Sequence, residues 1–177
     1  PGDVATAADF SGEVVVKPAV GAGSIDTHRF VDADAAVAHA AGLLDAGRSV
    51  LVQPYDPRIE AGETALVFLG GDESHAFIKG PILPPQGEQA RLDPSGTYAA
   101  ETLTLANPDV ELWEVGHSVL DAAAAHLGIQ RSEFLYARVD VIGDGADATL
   151  LELELIEPSL GWRQLDETNR ELRPVSY

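Results

Sequence analysis

Phe134-Leu135-Tyr136-Ala137-Arg138-Val139-Asp140-Val141-Ile142 and Thr149-Leu150-Leu151-Glu152-Leu153-Glu154-Leu155-Ile156, joined through Gly143-Asp144-Gly145-Ala146-Asp147, decide how this chain is read. Both runs predict strands, and the glycine-rich link between them predicts a hairpin. Side chains on a strand alternate between its two faces. Arg138 and Asp140 therefore share one face, with Ala137, Val139 and Val141 on the other. In the second strand Glu152 and Glu154 share a face opposite Leu151, Leu153 and Leu155. If both apolar sets face one core, the turn brings Asp140 near Glu152 and gathers all four charged side chains.

Taken alone, such a pattern fits the solvated outer face of an antiparallel sheet. Like charges opposed across strands destabilise the pair, however, and one arginine leaves three carboxylates uncompensated. A hard divalent cation with oxygen ligands removes that repulsion. Mg²⁺ commonly takes one or two carboxylates together with substrate phosphates, so Asp140, Glu152 and Glu154 are the candidate metal ligands.

Working outward, the remaining pattern is mixed. Glu13 to Lys17 predicts a buried strand stopped by Pro18, and Gly21-Ala22-Gly23-Ser24 a loop. Thr27 to Val31 is extended, Ala33 to Gly47 an alanine-rich helix capped by Asp32 or Asp34, and Ser49 to Gln53 another strand. Glu63–Leu69 and Ser74–Lys79 flank Gly70-Gly71-Asp72 as a second hairpin. Residues 81–110, broken by Pro81, Pro84, Pro85, Gly87, Pro94, Gly96 and Pro108, predict an irregular lid. Glu111 to Leu127 is amphipathic, with Leu112, Val115, Val119, Leu120 and Ala123 on one stripe before Gly128. Beyond Gly161 only a weak helical signal remains. Strands and helices are thus mixed along the chain.

Composition narrows the function. The chain has 177 residues, 29 acidic against 11 basic, and a formal net charge of −18. That charge repels phosphate backbones and argues against nucleic-acid binding. No apolar run approaches the roughly 20 residues that span a bilayer, so no membrane partner is expected. Cysteine is absent, which excludes thiolate metal sites and cysteine nucleophiles. Methionine is also absent, so Pro1 is not a translation start and a processed or partial chain is expected. With no signal-peptide pattern, the expected location is cytoplasmic.

Only two lysines occur, Lys17 and Lys79. Lys17 ends a valine run just before Gly21 and Gly23, whose backbone N–H groups can approach an anion closely while the lysine adds a point charge. The loop is neither a Walker A motif nor a dinucleotide fingerprint. Beside a candidate magnesium site it suggests equipment for a nucleoside triphosphate.

The order of these elements resembles the ATP-grasp superfamily, particularly glutathione-synthetase-like and RimK-like carboxylate–amine ligases. Val14 to Pro18 with Gly21, Gly23 and Ser24 looks like that family's phosphate-binding lysine and mobile loop. Val50-Leu51-Val52-Gln53-Pro54-Tyr55 resembles its adenine-contacting hinge, which points to Gln53 and Tyr55. Gly62-Glu63-Thr64 looks like the segment whose acid takes the ribose hydroxyls. Arg138-Val139-Asp140 resembles the family's Arg-x-Asp, and Glu152-Leu153-Glu154 its Glu-x-Asn. There the acids and amide ligate magnesium and the arginine steadies the transferred phosphoryl group. Glu154 stands where the family has Asn, and Gln53 where many members have Glu. The usual N-terminal lobe is missing, and the terminal helix looks shortened after Arg170. Ser74 to Lys79 and Glu152 to Pro158 look most like a bacterial branch that includes the cyclo-ligase forming D-cycloserine.

The resemblance implies two α+β lobes with antiparallel sheets sandwiching a nucleotide. Residues 1–54 would form the central lobe and 55–177 the C-terminal lobe. It also implies ATP and Mg²⁺ as cofactors, small carboxylate and amine substrates, and a homo-oligomer. The expected activity is ATP-dependent carboxylate–amine ligation, or intramolecular cyclisation, through an acyl-phosphate on a small amino acid or peptide-like substrate. Arg138 and Lys79 would act on the transferring group, phosphates or substrate carboxylate, although Lys79 also fits a solvated strand end. Asp140→Asn is expected to abolish turnover and leave the fold intact. The alternatives are an ATP-grasp phosphotransferase and a non-catalytic acidic domain binding metal or protein. His75 reads as structural, and His28, His39, His117 and His126 lack metal-ligand spacing. Trp113 and Trp162 read as core or edge aromatics, and Glu157 as the start of a turn.

Overall fold

The computed structural model of the chain describes residues 12–21, 24–81 and 102–165. These fall into two compact units that divide after Pro57, three residues beyond the expected boundary at Pro54. In the first unit, β1 (Val14–Pro18) is the centre of a three-stranded antiparallel sheet. β2 (His28–Phe30) and β3 (Val50–Pro54) flank it, and α1 (Ala33–Asp45) lies on one face. Asp32 caps α1 by accepting from the Asp34 and Ala35 amides, satisfying donors that have no partner within the helix. Ala36, Ala40 and Leu43 recur at helical spacing and bury against Val14 and Val16. By alternation Val15 and Lys17 turn away from α1, with Gln53 opposite Val15 and Leu51 opposite Lys17.

The second unit is a five-stranded antiparallel sheet in the order β6-β5-β4-β7-β8. Its strands are β4 (Glu63–Leu69), β5 (Asp72–Lys79), β6 (Leu103–Ala106), β7 (Tyr136–Ile142) and β8 (Thr149–Glu154). α2 (Val110–Leu127) packs on one face, where Leu66, Phe68, Ala137, Val139 and Val141 meet Leu112, Leu120 and Ala124. The buried row of α2 is Leu112, Gly116, Leu120 and Ala124, while the expected Val115, Val119 and Ala123 flank it. Gly116 is what brings the helix so close: a Cβ there would stand 2.7 Å from Phe68 Cζ.

The structure corrects the sequence reading at three places. Leu103–Ala106 is a strand, paired with β5, inside the stretch expected to be irregular. Four residues are too few to show a period of their own, and the open edge of β5 supplies the order. The rest of the expected lid, residues 82–101, lies outside the described residues, as does everything after Leu165. Trp162–Gln164 is a single 3₁₀ turn rather than a helix. Finally, β8 carries a bulge: Asp140 pairs with Glu152 but Val141 pairs with Leu150, leaving Leu151 as the extra residue. Among the described residues, no helix is long and apolar enough to cross a membrane.

Candidate functional site

With α2 on one face of the five-stranded sheet, the other face carries the charged residues. Register sets them in rungs. Arg138 lies between Val67 of β4 and Glu154 of β8, Asp140 between Ala65 and Glu152, and Lys79 beside Glu63. Arg138 donates from Nε to Asp140 Oδ1 at 2.8 Å and from Nη2 to Oδ2 at 2.8 Å. Nη2 also pairs with Glu154 Oε1 at 2.8 Å. Lys79 Nζ donates to Asp140 Oδ2 at 3.0 Å and is ion-paired to Glu63.

Asp140 is 0% exposed, Arg138 4% and Lys79 6%, so neither the solvated outer face nor the solvated strand-end lysine describes this site. β7 is an interior strand, and its charges are covered rather than washed by solvent. The two cations, set against Glu63, Asp140, Glu152 and Glu154, leave a formal charge of −2.

One oxygen each of Asp140, Glu152 and Glu154 lies within 4.8 Å of the others. This all-oxygen donor set, with two negative charges uncompensated, fits a hard divalent cation such as Mg²⁺. The electrostatics agree. Burial pushes the Glu63 carboxyl upward, with Lys79 pulling against it. Burial likewise raises Glu154, opposed by Arg138. For Lys79 burial acts downward, but Asp140 and then Glu63 outweigh it and hold the ammonium above the usual lysine range. Arg138 is raised against burial by its hydrogen bonds to Asp140 and by the Asp140 and Glu154 charges.

After β8 the chain turns at Glu157, which has a φ of 54°, and its amide meets the Tyr136 hydroxyl at 3.4 Å. Residues 159–162 then cross this same face. Arg138 Nη1 donates to the Ser159 carbonyl at 3.0 Å, and Leu160 packs against Ala65, Val67 and Phe77. Gly161, at a φ of 63°, presses so close that a Cβ would lie 2.4 Å from the Phe77 ring. Only glycine meets both demands.

The first unit holds the other expected residues. Lys17 is half-buried on the sheet face away from α1, Gly21 is exposed, and Ser24 has a φ of 57°. Gly23 lies outside the described residues. The Tyr55 amide donates to the Glu13 carbonyl at 2.8 Å. The Arg29 guanidinium sits 3.5 Å over the Tyr55 ring while its Nη2 donates to Glu13 Oε2 at 2.9 Å. Glu63 belongs to the second unit, within the charge cluster.

No family model matches the chain. It is 38% identical over 156 residues to the cycloserine biosynthesis protein DcsG of Streptomyces lavendulae, an alignment covering 84% of this chain and 48% of that protein. The crystal structure of D-cycloserine synthetase DcsG matches with a TM-score of 0.74 at 34% identity, over 92% of this chain and 54% of that one. The fold is ATP-grasp. D-alanine–D-alanine ligase from Bacillus anthracis shares it, with a TM-score of 0.59 at 18% identity over 90% of this chain and 49% of that one. The chain spans about half the length of the relatives it matches and is related in sequence to the cycloserine synthetase.

Within this ATP-grasp fold, the second unit brings together Lys79, Glu63, Arg138, Asp140, Glu152 and Glu154. Lys17, Gly21, Ser24, Gln53 and Tyr55 belong to the first. Sequence reasoning missed the stretch after β8 and its two carbonyl contacts. The available signal was Gly161, a lone glycine following Pro158-Ser159-Leu160, where the chain must approach another group closely.

Proposed function

We propose that the protein is an ATP-dependent ligase joining a carboxylate to an amine, or closing a ring within one molecule, on a small amino acid or peptide-like substrate. The observation that carries this is the single sheet face holding three mutually close carboxylates, a buried lysine and a buried arginine. Relatedness to a cycloserine synthetase supports the ring-closing form. The substrate carboxylate attacks the γ-phosphorus of ATP, giving an acyl-phosphate and ADP. The amine then attacks the acyl carbon and expels inorganic phosphate. Such chemistry is mostly positioning and charge neutralisation.

Asp140, Glu152 and Glu154 would hold magnesium, which when bound supplies positive charge to the phosphoryl oxygens. Arg138 fixes both Asp140 oxygens and one of Glu154, so the carboxylates stay aimed as a set. Lys79 adds a held positive charge on the same face. Glu63, which the resemblance assigns to ribose, orients Lys79 through their ion pair. Lys17 with Gly21, Gly23 and Ser24 holds phosphates, and Gln53 and Tyr55 meet the adenine.

The test uses the intact gene product with ATP, Mg²⁺ and a panel of amino acids and small carboxylates. Substrate-dependent ADP and free phosphate in equal amounts are expected. A phosphorylated substrate as the final product would instead make it a phosphotransferase. Calorimetry showing no ATP binding with Mg²⁺ would leave only an acidic binding domain.

A further inference from the structure

His75 is absorbed by none of these roles, yet it is 5% exposed and both ring nitrogens are engaged. Nε2 lies 2.6 Å from the Leu160 carbonyl oxygen, and Nδ1 lies 2.9 Å from Ser74 Oγ. A carbonyl only accepts, so Nε2 carries the hydrogen, and in the neutral ring Nδ1 accepts from the Ser74 hydroxyl. Ser74 itself is 4% exposed, which holds this tautomer in a dry setting. Register adds the decisive point. His75 is opposite Val67, and Val67 is opposite Arg138, so the three form one rung across β5, β4 and β7. The two donors at the ends of that rung bind consecutive carbonyls, Ser159 from Arg138 and Leu160 from His75. Between them Leu160 packs on the rung's apolar middle, and Trp162 lies against His75 with ring centroids 4.9 Å apart. The next rung is Phe77–Ala65–Asp140–Glu152.

We propose that Ser159–Trp162 forms one wall of the substrate site, laid beside the carboxylate rung, and that His75 is the positioning residue that clamps it through the Leu160 carbonyl. The wall's part in substrate binding rests on the ligase reading, whereas the clamp does not.

Two variants of the intact protein separate clamp from packing. His75→Phe keeps an aromatic ring against Phe77 and Trp162 but removes both nitrogens. His75→Gln keeps an N–H donor for Leu160. Hydrogen exchange of residues 157–161 in His75→Phe is expected to speed up about tenfold, the size of one lost buried hydrogen bond. The KM for the carboxylate substrate rises about tenfold as well, with the KM for ATP within about twofold of wild type. His75→Gln recovers most of both effects. Unchanged exchange in His75→Phe, or a glutamine variant as impaired as the phenylalanine one, overturns the proposal. So does a fall in kcat that tracks the melting temperature with KM untouched. Should the wild type release no ADP with any substrate, the ligase reading falls, and the exchange comparison alone upholds or overturns the clamp.

Discussion

Replacing Asp140 by Asn changes one atom, yet the structure makes it a severe perturbation. Asp140 is fully buried and accepts from Arg138 at both oxygens and from Lys79 at one. An amide in its place turns two donors toward cations and lets Arg138 and Lys79 face each other with less compensation. Removing one partner of a buried ion pair typically costs about 3–5 kcal/mol, and Glu63 and Glu154 remain to offset part, so about 3 kcal/mol is expected. Total stability is typically about 5–15 kcal/mol, so this is a large fraction, and the fold does not come through untouched as the sequence alone suggested. At about 2–4 °C per kcal/mol for a chain of this size, the melting temperature should drop by about 6–12 °C. Glu152→Gln is the matched control, because Glu152 is exposed and its loss should change stability by no more than about 0.5 kcal/mol. Both variants should weaken Mg²⁺-dependent ATP binding in calorimetry. The assay is thermal unfolding without metal, followed by titration of whichever variant folds. An Asp140→Asn protein that melts within about 2 °C of wild type would refute the reasoning, since it would mean the buried cations do not need that carboxylate.

Three further outcomes follow from the packing. Gly116→Ala forces a methyl into Phe68; overpacking costs about 1–3 kcal/mol against about 1 kcal/mol of helix propensity gained, so the urea midpoint should fall, and a rise would contradict the tight helix contact. Burial, and then the neighbouring His39, lower the His28 pKa, so its stabilising contribution is present above the ordinary histidine value near 6.5 and is lost as pH falls toward the lowered one. Thermal unfolding between pH 7.5 and 5 should therefore fall more steeply in wild type than in His28→Gln, and parallel curves would exclude this origin. Arg29→Lys removes the fork on Glu13 and the planar stack on Tyr55, and should raise the KM for ATP several-fold if Tyr55 meets the adenine.

The grouping of Arg138, Asp140, Glu152 and Glu154 was legible because strand alternation with one short turn leaves little freedom. The burial of Arg138 and Asp140 was not, because alternation says which face a side chain takes and nothing about what covers that face. The cover is a non-periodic stretch, Ser159 to Trp162, which joins the sheet through backbone carbonyls that no side-chain pattern reports. The bulge hid for a simpler reason: Leu150 and Leu151 are identical, so composition cannot say which one is extra. α1 and α2 were readable from spacing and their stops. β6 was not, because its order comes from a partner 26 residues away in the ladder, Ile78 opposite Thr104, rather than from itself. The roles expected of Gln53 and Tyr55 came from the family pattern alone, whereas Lys17 beside Gly21 and Gly23 already read as an anion site that the same pattern then made specific.

The extra leucine in β8 acts as a slip joint. Downstream of it lie the Asp140–Glu152 and Arg138–Glu154 rungs, whereas upstream Leu150 and Thr149 meet Val141 and Ile142 in a register offset by one residue. Lengthening or reshaping that connection should therefore leave the acids aimed as they are. Relatives could diversify the rim there at little risk, and an engineer could graft a loop at the same place.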